Sequence, residues 1–582
     1  MEVRDARRLT GPHLVWDRPC AVVEVGFEDG EDRDAAIAAW EEALRPVVEA
    51  LGLEAGDTRV RHHARGATLA LDVPIEFLYP GVEAVEWAAH AAAAGLAGRE
   101  PDESREALLA RVREEWSLMP DRKLRALRER AAREELPFLW DDDFVTVGAG
   151  AGSRTWPREA LPEVDEVPWE ELHGVPVALV TGTNGKTTTV RMLARILTAA
   201  GHVVGTSTTD WVAVGDEVLD RDDWSGPGGA RMVLRDRRVT AAVLETARGG
   251  MLRRGLGVED ADVGVLTNVA PDHLGEWGVW DVEELADVKC TLARAARRLV
   301  VNAEDDLLAE RALASGRPLT WFALRPDHPR LEAARGRGEA VAYRDGDALV
   351  WEVGPLAARV RTEVLRADEV PASYGGAMGF VVANALAALG AARALGLAWE
   401  PIRAGLRDFH ADPERHPGRL NLFELGGVRV LVDFAHNPHG LAALLAAAHG
   451  FGARRLLLTL GHAGDRSDED CRELGATAAA GRPDLVVLME RPAYLRGRPL
   501  GEIPELLAEG LERGGLSRER TRYAASELEA ARVALAEAGD GDLVLLLPAG
   551  ERREVLDWLQ GLRESAWRPG TPLPSLPAGA GA

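Results

Sequence analysis

The stretch ALVTGTNGKTTTVRML, residues 178–193, decides how the rest of the chain is read. An apolar strand signal runs into Gly182-Thr183-Asn184-Gly185, and Lys186-Thr187-Thr188 then opens a segment with helical spacing of apolar residues. The two glycines permit backbone torsions that aim successive amides inward, and the following helix offers the positive end of its dipole to an anion. The usual phosphate-loop pattern places a further glycine five residues before the Gly-Lys pair, where this chain has Val180. The remaining residues keep the chemistry: Lys186 suits the outer phosphates, and the Thr187 hydroxyl suits Mg²⁺, which takes oxygen ligands. An ordinary strand-to-helix turn is the alternative. Against it, residues 182–188 together read as a nucleotide site for ATP with Mg²⁺.

Working outward, apolar strands alternate with helices: VALV, HVVGTST, AAVLET, DVGVLTNV and RRLVVNA, with a helix near 282–298. Such a pattern predicts an α/β fold with a parallel sheet covered on both faces. Ligands of such sheets gather at the carboxyl ends of the strands. Glu245 stands at one of these ends and could hold a metal; otherwise it is a solvated strand end. Asp272 and His273 follow DVGVLTNV, making His273 a second candidate ligand or else polar surface. Arg248, Arg253 and Arg254 would serve carboxylates or phosphate, unless they are simply solvated.

The chain has 582 residues, 46% of them hydrophobic, enough for several separate cores. Acidic residues outnumber basic ones 94 to 69, a formal charge of -25, which repels nucleic acid and anionic lipid. Cys20, Cys290 and Cys471 are too few and scattered for a disulfide framework or a cysteine zinc site, which fits a reducing cytoplasm. No run approaches the ~20 apolar residues needed to span a bilayer, so no membrane partner is expected. The expected organisation is a mixed α/β front domain at 1–165, a central parallel-sheet domain with the nucleotide loop at 172–417, a second parallel-sheet domain at 418–565 and a disordered tail at 566–582.

In their order, VTGTNGKTTT, LETARGGMLRRGL, NVAPDHLG, VVANALAAL, GRLNLF and VDFAHNP resemble the Mur ligase family, most of all the Mur-type half of the cyanophycin synthetases. The resemblance covers about residues 172–560 and implies a multidomain architecture with a phosphate-loop central domain and a Rossmann-like C-terminal domain. It implies an ATP-dependent carboxylate-amine ligase working through an acyl phosphate. By position, Lys186 and Thr187 match phosphate and magnesium residues, Glu245 and His273 metal-organising residues, and Asn384 an adenine contact. Arg419 and Asp433 match residues that meet phosphate and ribose after closure. Lys289 sits where many relatives carry a carbamoylated lysine; on its helix it could equally face solvent.

The segment GHAGDRSDED also resembles this family, and Asp465, Asp468, Glu469 and Asp470 are expected either to receive a basic amino acid such as arginine or lysine, or to form a solvated face. RRLTGPHLVW and the stretch around 124–157 resemble the front of the cyanophycin synthetases, yet a full ATP-grasp domain does not fit between about 158 and 172. The front domain is therefore expected to position an acceptor or to mediate homo-oligomerisation. The leading expectation is one ligase site joining an amine to an aspartate-like carboxylate acceptor. A kinase or simple ATPase, and a nucleotide-binding scaffold without turnover, are the competing accounts.

Overall fold

A computed structural model describes residues 1–574, and its contacts group the chain into two compact units. The first comprises residues 1–365 and 383–406; the second comprises 366–382 and 407–582. Residues 575–582 of the expected disordered tail lie outside the described part. Within the described part of that tail, Trp567 is 6% exposed, an apolar anchor that composition alone hides.

The first unit opens with an antiparallel sheet in the order Glu2–Leu9, Cys20–Gly26, Gly66–Leu71, Thr58–His63. Helices Arg33–Leu51 and Leu78–Leu96 cover it, burying Trp40, Leu69 and Phe77. Cys20 lies in this sheet, fully buried, with its thiol 3.2 Å from His13 Nε2. Burial pushes the Cys290 thiol up to about 12 and that of Cys471 up to about 11.

The same unit contains an eleven-stranded sheet. Its middle is parallel, with Val177–Thr181 between Ala241–Glu245 and Ala261–Leu266, as the alternation of apolar strands and helices predicts. The register sets where these strands end. Glu245 pairs with Val180, and Leu266 pairs with Thr181, so all three stop at one edge. The expected helix near 282–298 is two helices, Val282–Cys290 and Leu292–Ala295. Residues from Ala296 instead extend the strand Ala296–Asn302, whose parallel pairing with Ala261–Leu266 outweighs the helical propensity of its alanine and arginines.

The second unit holds a six-stranded sheet in which the hairpin Asn421–Leu425/Val428–Val432 leads into parallel strands Leu543–Leu546, Leu456–Leu460, Leu485–Met489 and Thr521–Ala524. Among the described residues, no helix is long and apolar enough to cross a membrane.

Helix Trp399–Arg407 lies flush on the phosphate-loop helix Lys186–Ala199 because Gly405 has no side chain: a Cβ there would stand 2.5 Å from both N and Cα of Ile196. Alanine would gain about 1 kcal/mol of helix propensity over glycine, but backbone atoms cannot yield as a flexible side chain does. Gly405→Ala should therefore lose about 1–3 kcal/mol of stability in urea denaturation, the reverse of the propensity rule.

Candidate active site

The loop after Val177–Thr181 is closely packed by its neighbours. Gly182 and Gly185 have φ of 155° and 82°. A Cβ on Gly182 would stand 1.8 Å from Thr267 Oγ1, and one on Gly185 would stand 2.3 Å from Asn384 Oδ1. Asn384, 6% exposed, therefore packs directly against the loop. Lys186 Nζ donates to the Thr183 carbonyl at 3.0 Å, folding the ammonium over the loop.

Two side chains that sequence reasoning passed over brace this loop from the next strand end. Asn268 accepts from Asn184 N through Oδ1 at 2.9 Å and donates from Nδ2 to Asn184 O at 3.0 Å. Thr267 donates its hydroxyl to Asn184 O at 2.7 Å. The Thr183 hydroxyl in turn donates to Ala270 O and accepts from Ala270 N. Their signal was present in VLTNV, a polar pair directly after a buried strand.

Behind the loop, Thr187 donates its hydroxyl to Glu245 Oε2 at 2.8 Å. Glu245 is 2% exposed, which rules out a solvated strand end. His273 lies on the adjacent loop with its imidazole half exposed, 3.9 Å from Asp272. Among the described residues, no three His, Cys, Asp or Glu side chains gather as a ready-made metal cluster. The three residues expected to ligate metal are thus a touching pair, Thr187 and Glu245, plus a histidine on a neighbouring segment. Such a pair fits Mg²⁺, which keeps waters and substrate phosphates among its oxygen ligands.

Lys289 is 3% exposed, so the solvent-facing alternative is overturned: helix Val282–Cys290 turns it inward. Burial pushes its ammonium down to about 7; the nearby Lys186 and Arg248 charges push the same way, while Asp272 and Asp305 oppose them. Arg248 donates to the Glu276 carboxylate at 3.3 Å and lies 5.6 Å from the centre of the Trp277 ring. Arg253 lies 5.8 Å from the same ring, and Arg254 donates to Arg253 O.

In the second unit, Asp433 accepts from Leu420 N at 3.1 Å. Burial raises its pKa to about 6 despite the opposing charge of Arg419. The Arg419 guanidinium lies 4.7 Å from the centre of the Phe434 ring.

Of the acidic run at 465–470, the three acids at 468–470 already have partners. Asp468 pairs with Arg498 at 2.8 Å, Glu469 pairs with Arg513 at 2.9 Å, and Asp470 closes a capping box with Ser467. These acids start helix Asp468–Ala480, where the dipole favours negative charge. Arg498 also pairs with Glu502, while Arg496 lies 5.7 Å from the centre of the Tyr494 ring.

Residues 180–392 match the Mur ligase middle domain, and residues 418–550 match the Mur ligase, glutamate ligase domain. The UDP-N-acetylmuramyl-tripeptide synthetase of Deinococcus radiodurans is 31% identical over 402 residues, 65% of this chain and 75% of that one. The chain belongs to the Mur ligase family. Members of that family join carbon to nitrogen at the expense of ATP; in this chain the glycine loop, Thr187 and Glu245 lie together at one strand edge. Cyanophycin synthetase of Trichormus variabilis is 37% identical over 437 residues, 72% of this chain. The Mur-type chain spans 48% of that relative's length. Among solved structures, E. coli FolC in complex with ADP aligns over 67% of this chain and 90% of its own, at 22% identity and a TM-score of 0.48.

Asn268 makes two of the hydrogen bonds that shape the loop in this Mur-type domain, so Asn268→Ala should leave part-buried backbone groups of Asn184 without those partners. The expected cost is about 1–3 kcal/mol, read as a roughly 5- to 150-fold loss of ATP affinity in calorimetric titration. Unfolding temperature should move little.

Proposed function

We propose that this chain is a single-site ligase that activates a carboxylate as an acyl phosphate and joins it to an amine. The observation that carries the reading is the buried Thr187–Glu245 contact behind a glycine loop that also presents Lys186. Lys186 would move from Thr183 O onto the outer phosphates, while Thr187 and Glu245 would hold Mg²⁺ directly or through water. The ion would supply charge neutralisation on the transferring phosphoryl group.

The substrate carboxylate would attack that group in line, with positioning and electrostatics supplying most of the rate. Arg419 and Asp433 are assigned to phosphate and ribose, and Asn384 to the adenine side, on their matching positions. In its ionised form Asp433 would accept from ribose hydroxyls with both oxygens, as the stronger acceptor. Arg419 and three backbone amides favour that form, while burial opposes it.

The substrate pair is read from the likeness to cyanophycin synthetase: an aspartate-like carboxylate and a basic amino acid such as arginine or lysine. With Asp468, Glu469 and Asp470 committed to arginines and a helix start, the amine site is sought elsewhere in the C-terminal sheet. The test is to incubate the protein with Mg-ATP, amino acids and acidic peptides while recording ADP, phosphate and new amide masses together. A stable phosphorylated product would favour a kinase. Nucleotide binding without product across the panel would favour a scaffold. Lys186→Ala should abolish amide formation, and retention of full activity in that variant would reject the assigned role.

Lys289 is assigned as a carbamate: its neutral amine would add to carbon dioxide, forming an N–C bond and releasing a proton. Support comes from its burial and its pKa of about 7, which leaves an appreciable neutral fraction at neutral pH. Raising pH through about 7 deprotonates the amine, so carbamate and turnover should both rise across that point in bicarbonate buffer. The same depressed pKa makes the folded state bind fewer protons than the unfolded state between about 7 and the ordinary lysine value of 10.5, so this group's destabilising effect, full below that window, fades as pH rises through it. Mass spectrometry under native conditions should find one added carbon dioxide, and Lys289→Ala should lose both the adduct and the bicarbonate dependence.

A further inference from the structure

Between residues 272 and 280 the backbone turns left-handed four times, at His273, Gly275, Trp277 and Gly278, with φ of 51°, 102°, 50° and 70°. A histidine and a tryptophan adopt that conformation only at a cost, so the surrounding structure has to hold the segment. Much of the holding comes from the front sheet. Arg61 Nη1 donates to Gly278 O at 2.8 Å. Ala64 N donates to Glu284 Oε1 at 2.9 Å, and the other oxygen of Glu284 accepts from Trp280 N at 2.6 Å. The guanidinium groups of Arg65 and Arg4 lie 4.6 and 5.3 Å from the centre of the Trp280 ring.

Beneath Gly278, the Glu24 carboxylate and the His63 imidazole are in buried contact, and Thr68 donates to Glu24 at 2.9 Å. A Cβ on Gly278 would stand 2.8 Å from Glu24 Oε1, and φ is 70° there, so glycine suits both the close approach and the left-handed backbone. A second grip reaches helix Arg248–Arg254, whose terminal carbonyls need partners from outside. Arg7 Nε donates to Leu252 O at 2.9 Å, and Thr10 N donates to Arg254 O at 2.6 Å. Just beyond the helix, Leu256 N donates to Pro12 O at 2.8 Å. The helix and the loop are themselves joined, because Arg248 donates to Glu276.

We propose that the front sheet is a positioning element of the ligase site: Arg61 and Arg7, with Arg4 and Arg65 on Trp280, hold the loop of Asp272 and His273 and the helix of Arg248 in register with the nucleotide edge. The proposal rests on that edge being the reaction site. It separates two functions, because Thr267 and Asn268 brace the phosphate loop by other contacts. Nucleotide capture then belongs to the central sheet, and the geometry of turnover depends on the front sheet as well.

The test uses the intact protein. Arg61→Ala and the exposed double variant Arg4→Ala/Arg65→Ala are compared with Arg61→Lys by hydrogen exchange over residues 272–280, by ADP titration and by turnover. In both alanine variants, exchange at Gly275 and Val279 should rise about tenfold and kcat should fall by about the same factor, the scale of one lost charge-assisted hydrogen bond in the first and of two lost cation–π contacts in the second. ADP affinity and the KM for ATP should stay within about twofold, and Arg61→Lys should recover part of kcat. Unchanged exchange over 272–280 in both alanine variants would overturn the proposal, as would an equal loss of ADP affinity. The exchange measurement needs no substrate, so a wild-type protein without turnover would count against the ligase reading alone.

Discussion

Parallel register is the constraint on which the site depends. Because Val177–Thr181 pairs with Ala241–Glu245 on one side and Ala261–Leu266 on the other, a carboxylate, a glycine loop and a Thr-Asn brace reach the same edge with no long-range adjustment. The Thr187–Glu245 hydrogen bond is a product of that register. A one-residue slip would turn the Glu245 side chain to the opposite face and place Thr267 and Asn268 out of reach of Asn184. Burying Glu245 is costly unless its charge is met, and the Thr187 hydroxyl meets part of it.

The front sheet changes how the Mur-type half should be pictured. It shares one compact unit with the central sheet rather than hanging from a linker. The connecting stretch contributes as well: strands Phe138–Trp140, Phe144–Val147 and Arg154–Pro157 form a small sheet, and Arg235 of the central region donates to Asp141 and Thr146 within it. Gly150 lets the backbone approach closely, since a Cβ there would stand 2.3 Å from Val239 O. A segment that in sequence resembles the start of another catalytic domain serves here as packing.

The phosphate loop, Glu245 and the alternation of strands and helices were legible because each leaves a local pattern. What escaped is set by contacts distant in sequence. Asn268 reads as an ordinary polar residue until it is seen bonded to Asn184 on the adjoining strand end. The acids at 468–470 look like an open anionic site until Arg498 and Arg513, 30 and 44 residues further on, are found against Asp468 and Glu469. Lys289 illustrates a different limit: helical periodicity gives two faces, and only packing decides which one is buried. The end of the helical region before Ala296 is not legible locally, because strand pairing, not propensity, fixes where Ala296–Asn302 begins.

The state of the three thiols has a practical consequence. Thiolate is the nucleophile toward alkylating and oxidising reagents, and burial holds Cys20, Cys290 and Cys471 in the protonated form. A cysteine introduced on the surface would meet little competition from the native ones. Spectroscopic probes could then be attached at chosen positions on the wild-type background, opening the chain to distance measurements in solution during turnover.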